Sequence, residues 1–159
     1  MKITVVCVGK IKEGFYRDAI AEYLKRLSKF AKTEIVEVAD EKTTDGASEK
    51  AEEQIRQTEG TRILKAVPDD AFVCLLAIKG KELTSEELSE MISDLKVKGT
   101  SHICFIIGGS LGTSKDIYDR ADYKLSFSKM TFPHQLMRVV LLEQIYRSFK
   151  INRNETYHK

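Results

Sequence analysis

Three short segments of the chain gather residue types from which a site could be built. The first is Gly108-Gly109-Ser110-Leu111-Gly112, which follows directly on the apolar run 103–107. Glycines at the carboxyl end of a strand let main chain approach a ligand closely, and parallel α/β sheets bind ligands at those ends. The spacing is G-G-x-x-G, not the G-x-G-x-x-G of a dinucleotide site, and no Gly-Lys-Ser/Thr follows to make a phosphate loop. A ligand cradle and a plain tight turn both satisfy it. The second segment runs from Leu125 through Ser126, Phe127, Ser128, Lys129, Met130, Thr131 and Phe132 to Pro133-His134. A strand here ends in a hydroxyl-rich turn before a proline-started helix. Ser128 or Thr131 is a candidate helix cap. Capping leaves Met130 and Phe132 unexplained, because apolar side chains in a turn either join the core or wall a pocket. The third segment is the tail 151–159, with Arg153, Tyr157, His158 and Lys159 close together. Arginine and lysine suit phosphate, and tyrosine and histidine stack on bases. A frayed terminus is the alternative.

Other chemistries are excluded. No nucleophile elbow occurs. The three histidines, His102, His134 and His158, have no metal-type spacing with one another or with cysteine, so no metal site is expected. His102 precedes a strand and reads as structural. Cys7, Cys74 and Cys104 each lie in an apolar run and read as reduced core thiols of a cytoplasmic protein. No apolar stretch nears the roughly 20 residues of a membrane span, and the run 3–8 is too short for a signal-peptide core.

The elements that must position these segments follow from hydrophobic periodicity. Uninterrupted or alternating apolar runs predict strands at 3–8, 34–39, 72–78, 103–107 and 123–127, with Gly80 breaking the third. Apolar residues at helical spacing predict helices over 14–29, 47–66, 85–97, 114–120 and 133–149. Thr84 and Glu87 form a capping box for the third helix. Strand–helix alternation throughout 159 residues, without repeat or linker, predicts one α/β domain around a mostly parallel sheet.

Charge is small in total, +2, but uneven. Residues 1–32 carry 8 basic and 3 acidic side chains, and residues 123–159 carry 7 and 2. Residues 33–70 carry 5 basic and 11 acidic ones. If the basic ends meet in space, or across a dimer, they form a surface suited to phosphates; otherwise they are solvated helix faces.

Taken together, the segments resemble the RlmH family of large-subunit rRNA pseudouridine methyltransferases, small members of the SPOUT class. The similarity is carried by 76–86, by 105–112, by 125–134 continuing through Arg138 to Arg147, and by the closing Tyr157-His158-Lys159. It runs the length of the chain. The resemblance implies an α/β fold with a C-terminal trefoil knot, and S-adenosylmethionine bound at that knot. It implies cofactor contacts from Leu76, Gly108, Gly109, Phe127, Ser128, Lys129, Met130, Thr131 and Phe132. It implies a homodimer, for which the broad apolar face of the last helix is the candidate interface, the tail of one subunit completing the pocket of the other. The implied reaction is methylation of N3 of pseudouridine 1915 in 23S rRNA on the assembled ribosome.

For that reaction His158 is the candidate proton acceptor, since histidine titrates near neutrality, while Tyr157 and His158 could equally stack on or position the base. Arg153 is the candidate for holding a phosphate or carbonyl of the target. His134, in the first turn of a helix, reads as structural or cofactor-adjacent, because the helix dipole disfavours a cation there. Two other readings share parts of the pattern. A non-catalytic RNA-binding protein of the same fold needs the basic ends but not the glycine turn and apolar slot. An ordinary nucleotide-dependent α/β enzyme needs a glycine spacing that is absent.

Overall fold

The computed structural model describes residues 1–159. Strands and helices alternate strictly: β1 (Lys2–Val8), α1 (Gly14–Leu27), β2 (Lys32–Val38), α2 (Glu49–Ala66), β3 (Phe72–Glu82), α3 (Ser85–Val97), β4 (His102–Ile107), α4 (Lys115–Arg120), β5 (Tyr123–Ser126) and α5 (His134–Asn152). The strands form one sheet in the order β2-β1-β4-β3-β5. Every neighbouring pair is parallel, so the expected mostly parallel sheet is wholly so. β1 and β4 are covered on both faces, which is why their sequences are apolar without alternation.

Crossovers that step toward β2 carry α1 and α3 on one face of the sheet; those that step toward β5 carry α2 and α4 on the other. All four therefore share one hand, as strand twist requires. Two cores result. Ile20, Leu27, Leu88, Ile92, Leu141 and Ile145 pack on Ile103 and Phe105 from one side. Ile63, Val67 and Ile117 pack on Val6 and Ile106 from the other. Cys7, Cys74 and Cys104 are buried and unpaired. Burial pushes the Cys7 and Cys104 thiols up to about 12, so both are inert. His102 has the structural role expected of it, with Nε2 2.8 Å from the Thr4 hydroxyl. No helix is long and apolar enough to cross a membrane.

Two local features depart from the sequence expectation. β3 does not stop at Gly80. Its ladder with β5 breaks after Leu76 and resumes at Lys81↔Leu125 and Glu82↔Ser126. A side chain at Gly80 would sit 2.7 Å from the Lys124 carbonyl, so glycine here permits close strand approach rather than ending the strand. Nor do Ser128 or Thr131 cap α5. The N-cap is Pro133, with no side-chain bond, and Ser128 Oγ instead accepts from the Met130 amide inside the turn (3.0 Å). α5 runs three residues past its expected end and closes with Asn154 in the left-handed region (φ 53°). From His134 to Ile151 every residue of α5 is buried or half-buried, its charged side chains Arg138, Glu143, Arg147 and Lys150 included, each held in an ion pair.

Candidate active site

The carboxyl ends of β3, β4 and β5 and the first turn of α5 enclose a pocket of about 320 Å³, within the range of small-molecule sites. Leu76, Gly108 and Gly109 line it, as do Phe127, Ser128, Met130, Thr131 and Phe132. Lys129 lies in the same turn but is exposed and outside the wall. The three segments on which the resemblance places cofactor contacts, at Leu76, at Gly108-Gly109 and at 127–132, thus meet at one pocket. Lys79 is the one lysine, arginine or carboxylate residue in the lining. Sequence reasoning did not find Ile78, Tyr118 or Met137, which also line it. Ile78 belongs to the excursion between the two β3–β5 pairings, whose one local signal, Gly80, reads as a strand end rather than as a detour.

The glycine turn is held by packing from beneath. A Cβ on Gly108 would meet the Thr113 methyl at 2.6 Å, and one on Gly109 would meet Glu59 Oε1 at 2.7 Å. Glycine at both positions thus lets the turn pack directly on Thr113 and Glu59. Glu59 was not singled out from the sequence, where it sits in a charged helix. It is buried, its carboxylate accepts from the Glu41 amide (3.1 Å), and desolvation raises its pKa.

His134 lines the pocket with a buried Nδ1 that has no partner. Burial, and then the nearby Arg138 cation, lower its pKa, so the ring is neutral at pH 7. Arg138, one turn on, is fully buried. It donates to Glu37 Oε2 (2.7 Å), Val8 O (3.1 Å) and Gly9 O (2.8 Å), satisfying the carbonyls where β1 ends. This side chain clamps the first turn of α5 to β1 and β2, and so positions His134.

The tail does not join the pocket of its own chain. The Tyr157 ring packs edge-on against Tyr146 at 4.9 Å, and its hydroxyl donates to Glu143 Oε1 at 3.2 Å. His158 Nδ1 lies 3.1 Å from Arg147 Nη1, and Nε2 lies 2.6 Å from Glu86 Oε1. Arginine can only donate, so Nδ1 accepts and Nε2 carries the proton toward Glu86. Arg147 is 13 residues along α5 from His134, about 20 Å of helix. Arg153 is apart again, its guanidinium 4.6 Å over the Phe30 ring.

A family model described as "Predicted SPOUT methyltransferase" matches residues 1–158. The chain is 65% identical to the ribosomal RNA large subunit methyltransferase H of Bifidobacterium adolescentis, across 100% of both chains. It is 60% identical to that of Clostridium novyi, again across 100% of both. The chain belongs to the ribosomal RNA large subunit methyltransferase H family, within the SPOUT class. A probable methylase family protein from Haemophilus influenzae shares the fold at a TM-score of 0.54 and 12% identity, covering 99% of this chain and 70% of that one. A methyl donor carried on a nucleoside fits the family pocket as found in this chain. Half of the lining residues are apolar, Lys79 is the one charged residue among them, and the orphaned His134 Nδ1 is a polar atom in want of a partner.

Proposed function

We propose that the protein transfers a methyl group from S-adenosylmethionine to N3 of a pseudouridine in large-subunit rRNA, the position numbered 1915, on the assembled ribosome. The observation that carries this reading is the glycine-floored, nearly uncharged pocket at the three strand ends, together with the docking of the tail away from it. S-adenosylmethionine supplies, when bound, an electrophilic methyl group on a positively charged sulfur. Leu76, Met130 and Phe132 exclude water, and Gly108 and Gly109 offer main-chain groups. His134, neutral, adds no charge beside a sulfonium.

The protein acts as a homodimer. Ile78, Met130 and Phe132, three of the six exposed large hydrophobics, crowd the pocket rim beside α5 and need cover. α5 is the covered face, and the tail docked on it reaches the pocket of the second subunit. There His158 accepts the N3 proton at Nδ1 once the Arg147 N–H that occupies this nitrogen in the single chain is released. Glu86, facing Nε2, stabilises the imidazolium that forms, as the orienting carboxylate of a catalytic triad does. Tyr157 stays protonated, because burial and the Glu143 carboxylate push its pKa to about 12. It positions the target rather than deprotonating it.

The test has two parts. Calorimetry with S-adenosylmethionine gives saturable binding, where a non-catalytic RNA-binding protein gives none. Deleting the gene removes one methylated pseudouridine from the nucleosides of large-subunit rRNA, read by mass spectrometry; an unchanged nucleoside profile refutes the assignment.

A further inference from the structure

The two basic ends of the chain meet. α1 packs along α5, and their last turns border a groove of about 370 Å³ at the end of α5 remote from the pocket. Lys25, Arg26 and Lys29 come from one side, Lys150 and Arg153 from the other. Against these five cations stand two acids, Glu22 and Glu155. The groove is therefore more positive than the whole chain, whose net charge is +2. Arg26 occupies Glu22 (2.9 Å) and Lys150 occupies Glu155. Lys25, Lys29 and Arg153 form no ion pair.

The floor is aromatic. Phe30 stacks on Phe149, ring centroids 5.6 Å apart and 7° from parallel, and Tyr146 lies alongside. Arg153 sits 4.6 Å over Phe30, and Lys150 lies 5.8 Å from Phe30 and 5.7 Å from Tyr146. These cations are held in place by the rings rather than left to wander. Helix-dipole compensation accounts for a cation in the last turn of each helix. It does not account for three unpaired ones, brought together from two distant stretches of sequence around one groove.

We propose that this groove docks the sugar–phosphate backbone of the RNA whose nucleotide enters the pocket, an assignment that rests on the methyltransferase reading above. A pocket of about 320 Å³ grips one nucleoside and its donor fragment at most, so the rest of a large polyanion must be held elsewhere. Unpaired cations release condensed counterions from phosphates, while the rings, already engaged by Phe149, Arg153 and Lys150, hold the groove's shape. Arg153 thus belongs to backbone docking rather than to the methylated base.

The experiment is filter binding of the full-length protein to purified assembled ribosomes, with isolated large subunits in parallel, across roughly 50–200 mM salt. The pair Lys25→Glu and Lys29→Glu, both exposed, lowers affinity at least about tenfold and flattens the salt slope by about two. Calorimetric affinity for S-adenosylmethionine stays at the wild-type value, which also reports intact folding. The pair Lys50→Glu and Lys65→Glu, exposed on α2, binds as wild type. Unchanged affinity and slope in the first pair overturn the proposal, as does an equal loss in the second pair. A changed oligomeric state by sedimentation with RNA affinity retained also overturns it, and assigns the groove to a second copy of the chain. Wild-type protein that binds subunits through these lysines but methylates nothing overturns the methyltransferase reading and keeps the groove. Methylation that proceeds without dependence on them does the reverse.

Discussion

α5 begins and ends in opposite surroundings. Its first turn borders a pocket whose one charged lining residue is Lys79, with a neutral His134 beside it. Its last turn lies among five cations and an aromatic floor. About 28 Å of helix separates His134 from Arg153. The pocket suits a ligand that is itself cationic and must be kept dry. The groove suits a polyanion that stays largely hydrated. On the proposed reading one helix carries two binding chemistries that would spoil each other if merged, since a cluster of lysines beside a sulfonium would repel it.

The largest expected effect tests whether pocket and tail serve each other across subunits. His158→Ala lowers kcat by about 10²–10⁴-fold and leaves cofactor affinity unchanged. Mixing that variant with Gly109→Val restores about a quarter of wild-type methylation, because half of randomly mixed dimers hold both variants and each of those has one intact composite site. No recovery on mixing means that the pocket and tail of a single chain work together. Next is Arg138→Met, which strips Glu37 and the β1 carbonyls of their partner and costs about 3–5 kcal/mol. Denaturant titration measures it, and cofactor affinity falls more than subunit affinity because the clamp lies at the pocket end. Gly109→Val forces a side chain into Glu59 and costs about 1–3 kcal/mol of local packing. Calorimetry reads this as a loss of cofactor affinity of roughly 10–100-fold, with subunit binding retained.

The smallest effect is the acid limb. His134 is held below its ordinary value of 6.5 in the fold, so the unfolded chain takes up the proton first as pH falls. Stability is full above about 6.5 and declines as pH drops toward the folded value. A cationic cofactor weakens over the same range, since protonation places a like charge beside it. His134→Gln flattens both profiles, read by melting temperature and calorimetry from pH 7 to 5.

Much of this architecture was legible. Periodicity placed every element, because β1 and β4 are buried on both faces and α1 and α3 on one. The capping box at Thr84 and Glu87 is present as read, each side chain bonding the other residue's main chain. Gly108, Gly109 and most of the 127–132 turn do line one pocket, where the sequence left a cradle and a plain tight turn equally open and only Met130 and Phe132 were out of place in an ordinary turn. What escaped depends on partners distant in sequence. Gly80 carries a turn signal, but its reason is the main chain of Lys124 across the ladder. Glu59 looks like one more surface acid until the glycine turn closes over it. Arg138 sits among apolar neighbours, and nothing local says that it satisfies carbonyls 129 and 130 positions away. Ser128 looked like a cap, but the turn consumes its hydroxyl first.

The excursion at 77–80 departs from the β3–β5 ladder at Leu76 and rejoins it at Lys81. Both its ends are pinned by strand pairing, so this side of the pocket has no slack to take up. Its conformational entropy is surrendered during folding rather than at the moment of capture. On the proposed reading the donor meets a surface already in its final shape along this wall, and its association needs no slow closing step there.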